Sequence, residues 1–299
     1  MKLSFISLVF LLVCGLTISI YISIMSGLSV DEKKWREKCK KIVEKLRENV
    51  KIEDDVFLKF PKYYINLDRS RERRQKMEEE FKTYGIENIE RVSACDGKTL
   101  KKTGEGNFED LKFVNQFENL TLSEIAITCS HLKAIRNAWR RGLEIALIME
   151  DDVTFSIVPH WKIKFKDLLK SVSEDADIVL LTHVGNTEEK KLFNRRKDQN
   201  AAVCYLVTKK GMDRVMKDFF RNGEVFLGKD SGLENSVIDT GIWSYLDTYY
   251  VDPRMFPVDG LFFDSTHYKG ISGKIYKENH KILEKYFDED QKGGIDKNE

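Results

Sequence analysis

Three consecutive carboxylates, Glu150, Asp151 and Asp152, directly follow the apolar run IALIM at residues 145–149. Adjacent negative charges repel one another, and a divalent cation relieves that repulsion. Because residues 150 and 152 of an extended segment point to the same side, we expect Glu150 and Asp152 to bind a metal together, or one of them to bind it while Asp151 orients a ligand. Carboxylate oxygens suit Mg2+ or Mn2+ rather than zinc. The alternative is a solvated acidic turn that caps the following segment.

A second group of polar residues follows the predicted strand YYINL at 63–67. Asn66 and Asp68 are candidates for contact with a base or ribose. A basic cluster, Arg69, Arg71, Arg73 and Arg74, is a candidate for contact with a pyrophosphate, and within it we take Arg71 and Arg74 as site residues. Arginine suits phosphate because its planar guanidinium donates two parallel hydrogen bonds. Arg and Glu also alternate through RSRERRQKMEEE at 69–80, so the alternative is a solvated helix face laced with salt bridges.

Ser130 and His131 lie in a predicted helix just before the acidic strand. His131 is a candidate hydrogen-bond partner for a phosphate or a sugar hydroxyl, the alternative being a structural histidine. The sequence contains no G-x-S-x-G, P-loop, H-E-x-x-H or G-x-G-x-x-G motif, which argues against several common hydrolase, NTPase, protease and oxidoreductase classes.

The elements that must position these residues alternate between strands and helices, as in a layered α/β domain. Apolar runs predict strands at 63–67, 89–92, 145–149, 178–182, 202–208 and 249–251, the third buried on both faces. Helical spacing predicts helices after residue 68, at 122–141 with Thr121 or Ser123 as cap, and at 161–172, 210–220 and 240–246. Residues 224–239 read as a loop.

Residues 3–30 form a 28-residue segment without charge, long enough to span a bilayer. We therefore expect a signal anchor or transmembrane helix at 1–30, a helical stem at 31–58, one catalytic domain at 59–272 and a charged tail at 273–299. A cleaved signal peptide is the alternative. Eight basic residues at 31–50 favour a cytosolic body, whereas the sequon at Asn119 favours a type II protein with its catalytic domain in the ER or Golgi lumen.

The net charge is only +1, with 50 Lys and Arg against 49 Asp and Glu. A general nucleic-acid binder needs a basic excess, so no nucleic-acid partner is expected. The five cysteines show no C-x-x-C spacing. We expect Cys129 and Cys204 to be buried free thiols, although one or two disulfides remain open.

The order of motifs YYINLDRSRERRQKM, SACDG, LSEIAITCSHLKAIRNAWRRGLEIALIMEDDV and AAVCYLVTKKGMDRVM resembles glycosyltransferase family 25. That resemblance covers about residues 61–258. It implies a GT-A fold of the Rossmann-like nucleotide-sugar transferases, a UDP-galactose or UDP-glucose donor, a metal at the acidic motif, and a glycan or protein acceptor. A catalytically inactive sugar-binding or scaffold protein, and a membrane-tethered interaction protein, are the alternatives.

Site residues follow from the resemblance position by position. Glu150 and Asp152 match the acidic motif, which makes Asp152 a catalytic as well as a metal-binding candidate. Asn66 and Arg74 match the donor region of the first strand, and Ser130 and His131 match the S-H pair. Asp239, in NSVIDTGIW, is the best match to a later family aspartate, and it is our candidate for orienting or deprotonating the acceptor hydroxyl.

Overall fold

The computed structural model describes residues 37, 41, 51–101, 106–108, 111–115, 120–183, 192–196, 201–228, 233, 235, 237–251, 255 and 256. The chain divides into two compact units, one made of Met1–Glu48 with Gly260–Glu299 and the other of Asn49–Asp259. All elements described below belong to the second unit. No helix in the described ranges is long and apolar enough to cross a membrane. The apolar segment 3–30, Asn119 and the tail 273–299 lie outside those ranges.

A mixed sheet forms the centre of the second unit. Its order is β2-β1-β5-β8-β6-β11-β7, and β8 runs antiparallel to both neighbours. The first three strands are mutually parallel, as are β6 and β11, while β7 runs antiparallel to β11. In chain order the strands are β1 Lys62–Asn66, β2 Ile89–Ser93, β3 Gly106–Phe108, β4 Leu111–Asn115, β5 Ile145–Glu150, β6 Ile178–Leu180, β7 Phe193–Arg195, β8 Cys204–Thr208, β9 Phe220–Arg221, β10 Glu224–Leu227 and β11 Thr248–Val251.

Helices cover both faces of this sheet. They are α1 Asp55–Lys59, α2 Arg71–Tyr84, α3 Leu122–Arg140, α4 Phe165–Lys170, α5 Lys209–Phe219 and α6 Trp243–Tyr245, the last preceded by a π-helical turn at Ile238–Ile242. Helix α3 begins with a capping box between Thr121 and Glu124, which confirms Thr121 as the cap. Helix α2 ends at Gly85, whose φ of +66° suits a residue without a Cβ.

Alternate residues of β1 and β5 point to two separate apolar cores. Ile65 and Ile148 contribute to the core beneath α3 and α5. Tyr64 and Met149 contribute to the core beneath α1, α2 and α4. Residues 146–149 are fully buried, which confirms the prediction that this strand is buried on both faces.

A second, smaller sheet was not predicted from the sequence. Its order is β3-β4-β10-β9, with β4 and β10 parallel and the outer pairs antiparallel. The prediction of a loop over 224–239 is therefore wrong for β10. These strands have two to five residues each, so none carries a long alternating pattern.

Residues 51–60, directly before β1, pack into the folded unit. Phe57 of α1 is fully buried, and its ring centroid lies 5.2 Å from that of Phe165 on α4. Asp54 links the two helices, because its Oδ1 accepts from Phe57 N at 3.0 Å and its Oδ2 accepts from Phe165 N at 2.7 Å. Helix α4 is shorter than the predicted 161–172, and a 3-10 turn at Val158–His160 precedes it.

A buried lysine closes the end of α1. Lys62, the first residue of β1, is fully buried, and its Nζ donates to the carbonyls of Phe57, Leu58 at 3.1 Å and Phe60 at 2.9 Å. These carbonyls lie at the helix end, where backbone acceptors lack partners within the helix. Burial lowers the pKa of Lys62 from 10.5 to about 7, although the charge of Glu87 raises it in part.

Candidate functional site

The candidate site lies at the carboxyl ends of β1 and β5. Asn66 ends β1, Glu150 ends β5, and Ile65 stands in register opposite Glu150. Asp151 and Asp152 continue from β5 as a turn, and both are buried. The carboxyl edge of an open α/β sheet is where such folds place ligand-binding groups.

Arg73 bridges two of the three acidic side chains. Its Nη2 lies 2.9 Å from Asp151 Oδ1 and 3.2 Å from Asp152 Oδ2. Arg73 stands in the first turn of α2, and its side chain is 26% exposed against about a tenth for each carboxylate. The guanidinium therefore offsets part of the repulsion among the carboxylates, which a metal was expected to relieve.

Asn66 holds Asp151 from the other side. Its Nδ2 donates to Asp151 Oδ2 at 2.6 Å and to the carbonyl of Ser70 at 3.2 Å. Its Oδ1 accepts from Arg91 Nε at 3.1 Å, so this buried amide is oriented by both neighbours. Burial raises the pKa of Asp151 and the charge of Glu150 adds to that effect, whereas Arg73 and Asn66 oppose it.

His131 contacts the third carboxylate. Its Nε2 lies 3.4 Å from Glu150 Oε1, and its Nδ1 lies 3.0 Å from the hydroxyl of Tyr205 on β8. Burial raises the pKa of Tyr205 well above its usual value, so this residue keeps its proton. In the neutral imidazole the hydroxyl donates to Nδ1, and the proton on Nε2 faces Glu150.

Glu150 and Asp239 have pKa values that move in opposite directions. Burial opposes ionisation of Glu150, but His131 and Arg73 together outweigh it and lower the pKa. Burial raises the pKa of Asp239, and the charge of Glu150 raises it further. Asp239 lies in the π-helical turn, whose carbonyl at Asp239 accepts from Arg196 Nη2 at 3.1 Å. Two carboxyls with diverging pKa values are typical of acid–base sites.

Helix α2 also holds the chain beyond the acidic residues. Glu80 is buried, and its Oε2 accepts from the backbone N–H of Phe155 at 3.0 Å and from the hydroxyl of Thr154 at 3.3 Å. One face of α2 thus contacts the whole turn that follows β5.

The other predicted site residues Asp68, Arg74 and Ser130 form hydrogen bonds with partners other than the three carboxylates. Arg71 and Arg74 are exposed, and Arg74 Nε donates to Glu78 Oε1 at 2.9 Å on the same helix. Asp68 is exposed and accepts from Arg91 and from Ser93 Oγ, the hydrogen bond of Arg91 contributing most to its lowered pKa. Ser130 is buried, where its Oγ donates to the carbonyl of Ala126 and accepts from Cys95 N.

Two contributors were missed from the sequence, Arg73 and Tyr205. Arg73 belongs to the recognised basic cluster, and its position four residues before buried Met77 places it on the core-facing side of α2. Arg71 lacks this spacing, whereas Arg74, three residues before Met77, has a similar one and differs from Arg73 in the structure by its greater exposure. Tyr205 gave no such signal, because it lies in an apolar strand 74 residues beyond His131.

A metal fits the chemistry of these carboxylates only in part. Within the described residues no group of three or more His, Cys, Asp or Glu side chains is arranged to hold a metal ion. Glu150 and Asp152 offer oxygen ligands, but His131 contacts the first and Arg73 contacts the second. A hard cation held by two carboxylates takes its remaining ligands from substrate phosphates and water.

Comparison with known proteins finds similarity to one family. The family model described as Glycosyltransferase family 25 (LPS biosynthesis protein) matches residues 59–222, more than half of the chain. Two proteins named Glycosyltransferase 25 family member are similar to it. That of Drosophila melanogaster is 37% identical over 100 residues, and that of Drosophila pseudoobscura pseudoobscura is 33% identical over 99. Each alignment covers 31% of this chain and 16% of the relative. The mixed α/β sheet fits a Rossmann-like glycosyltransferase.

Proposed function

Because the chain belongs to glycosyltransferase family 25, we propose that it transfers a hexose, galactose or glucose, from a UDP-sugar to a hydroxyl of a glycan or protein acceptor. The observation that carries this proposal is the cluster of Asn66, Arg73 and the three carboxylates at the ends of β1 and β5, within the matched residues. Charged groups at this edge of the sheet are suited to a nucleotide diphosphate and its sugar.

Asp239 is the proposed base for the acceptor hydroxyl. A base must be strong enough to take the proton yet ionised at the working pH. Burial and the nearby charge of Glu150 raise the pKa of Asp239, which makes its carboxylate a stronger proton acceptor. Glu150 stays ionised beside it, because His131 and Arg73 lower its pKa.

The proposed function includes a divalent cation, Mn2+ or Mg2+, at Glu150 and Asp152. These two carboxylates would hold the cation, which would supply positive charge for a departing diphosphate. In the protein itself Arg73 supplies positive charge at Asp151 and Asp152, so the cation and the guanidinium would share Asp152.

UDP release from a panel of UDP-hexoses, with Mn2+ or with a chelator, tests this proposal. We expect turnover with UDP-galactose or UDP-glucose that falls on chelation. Asp152→Asn is expected to abolish it, while Asp175→Asn, a change of one exposed carboxylate elsewhere, leaves it intact. Unchanged turnover in Asp152→Asn would remove the acidic motif from the mechanism.

One observation favours a second function, a catalytically inactive sugar-binding or scaffold protein. Arg73 and Asn66 already bind Asp151, and Arg73 also binds Asp152, so the acidic turn is held without a ligand. Calorimetry distinguishes the two functions, because an inactive protein binds UDP or a glycan without forming product.

For the location of the protein we propose a type II membrane protein of the ER or Golgi, anchored through residues 3–30, with the catalytic domain in the lumen. The absence of charge over 28 residues supports the anchor. Glycosidase-sensitive modification of Asn119, lost in Asn119→Gln, tests the orientation. Cleavage of the domain by protease added outside intact microsomes would contradict it.

A further inference from the structure

Two cysteine thiols lie side by side in the core next to the site. Cys95 Sγ and Cys129 Sγ are 2.9 Å apart, and both side chains are buried. Cys95 follows β2, whereas Cys129 lies on α3, 34 residues later. Both are free thiols in the structure.

The backbone around the pair is held independently of the two sulfur atoms. Ser130 Oγ accepts from the backbone N–H of Cys95 at 2.9 Å and donates to the carbonyl of Ala126 at 2.7 Å. The loop after β2 is therefore fixed against α3 at the residue that carries the first thiol. The Sγ–Sγ distance of 2.9 Å exceeds that of a disulfide, roughly 2.05 Å, by less than about 1 Å.

Cys204 provides an internal comparison. It is also a fully buried free thiol, but it belongs to the core on the opposite face of the sheet. Cys95 and Cys129 belong together to the core beneath α3. Burial therefore does not distinguish Cys95 and Cys129 from Cys204, whereas the contact between their two sulfur atoms does.

We propose that Cys95 and Cys129 form an intramolecular disulfide when the protein folds in an oxidising environment. Two S–H bonds break and one Sγ–Sγ bond forms, which releases two protons and two electrons. A disulfide oxidant, either oxidised glutathione or a protein disulfide, accepts them and leaves as two thiols. This inference does not depend on the proposed glycosyltransferase activity.

The surroundings make this cross-link structural rather than readily reversible. Burial raises the pKa of Cys129 well above its usual value, and the adjacent thiol of Cys95 adds to that effect. Reversal needs an external thiolate to reach a buried sulfur atom and Cys129 to leave as a thiolate, which its raised pKa disfavours, so exchange with external thiols is slow. His131 follows Cys129 by two residues, so the bond also fixes the part of α3 that reaches Glu150.

Peptide mapping of the full chain tests the proposal directly. The protein is refolded in a mixture of oxidised and reduced glutathione, alkylated with iodoacetamide in denaturant without reductant, and digested with trypsin. We expect peptides 92–98 and 113–133, each with one cysteine, to appear as one linked species, and the peptide with Cys204 to be alkylated. Alkylation of Cys95 and Cys129 to the same extent as Cys204 would overturn the proposal.

A matched pair of variants tests the contribution to stability. Reduction and refolding in dithiothreitol should lower the Tm of the wild type and of Cys204→Ser by roughly 10 °C, as expected for a loop of this length. The Tm of Cys95→Ser should not respond to the reductant. A wild-type Tm that is the same with and without dithiothreitol counts against the disulfide. If Cys95→Ser does not fold, the peptide map of the wild type alone decides.

Discussion

Arg73 and Glu80 lie two helical turns apart on the same face of α2, and both bind the segment 151–155 that follows β5. Arg73 binds the carboxylates of Asp151 and Asp152, and Glu80 accepts from the backbone N–H of Phe155. Seven residues of α-helix bring two side chains back to nearly the same direction. Helix α2 therefore sets the conformation of the chain that leaves β5, and the positions of the candidate ligands depend on it.

The first prediction concerns the stability that Arg73 provides. Arg73→Gln should lower the free energy of unfolding by about 2 kcal/mol, because it leaves two largely buried carboxylates without their cation. Arg74→Gln removes an exposed ion pair with Glu78 and a side-chain hydrogen bond with Tyr64, and should cost about 0.5 to 1 kcal/mol. Urea denaturation measures both, and equal costs would contradict the structural role of Arg73.

The second prediction concerns the hydroxyl of Tyr205. Tyr205→Phe removes the donor to His131 Nδ1, so the imidazole proton is no longer held on the nitrogen that faces Glu150. The pKa of Glu150 should then rise, and the acid limb of the pH–activity profile should move to higher pH. At the acid end of the profile activity should fall roughly tenfold, because the variant loses one hydrogen bond in a charged network.

Tyr63→Phe is the matched control for that experiment. It removes a hydroxyl from another buried tyrosine, which accepts from Arg141 Nη1 at 3.1 Å. We expect its pH–activity profile to match that of the wild type. A profile of Tyr205→Phe that also matches would show that Tyr205 does not act through His131.

The third prediction concerns Asp239. Asp239→Asn cannot accept a proton from the acceptor hydroxyl, so kcat should fall by about 10²- to 10⁴-fold. Binding of UDP, measured by calorimetry, should change little, because the proposed role of Asp239 is toward the acceptor. Retention of most of the wild-type kcat would exclude Asp239 as the base.

The fourth prediction concerns Lys62 and pH. Its folded pKa is about 7 against an ordinary value of 10.5, so between these values the unfolded chain binds more protons than the folded one. The free energy of unfolding should therefore rise with pH in that window, by up to about 1.4 kcal/mol per unit. Below pH 7 both states are protonated and the cost of burying the charge applies in full.

Lys62→Met isolates that contribution. Denaturation of both proteins at pH 6.5, 7.5 and 8.5 gives the difference between wild type and variant, in which the other titrating groups largely cancel. We expect that difference to shift in favour of the wild type as the pH rises. A difference that is independent of pH would mean that Lys62 remains charged in the folded protein.

Local patterns in the sequence were enough to predict most of the central sheet. The apolar run before Glu150 predicted a doubly buried strand, and Thr121 predicted the start of α3, because each signal depends on neighbouring residues alone. The smaller sheet was missed because β4 and β10 pair across more than a hundred residues. No local signal encodes such a pairing.

The residues of the candidate site were likewise predicted only in part. The carboxylates and His131 were recognised by residue type and position in the chain. Their partners were not, because Arg73 differs from Arg74 in its lower exposure rather than in residue type, and Tyr205 reaches His131 only after β8 has inserted beside β5. Residue type therefore identified the charged groups, and tertiary packing decided which cations and hydroxyls meet them.

Asp54 accepts hydrogen bonds from backbone N–H groups of both α1 and α4, and this limits how short a fragment can be and still fold. A fragment that begins at residue 59, where the family match begins, lacks Asp54 and Phe57. It would expose the first N–H of α4 and leave a cavity between the rings of Phe165 and Phe256. Expression of the folded unit by itself should therefore start no later than residue 51, upstream of the boundary that sequence similarity indicates.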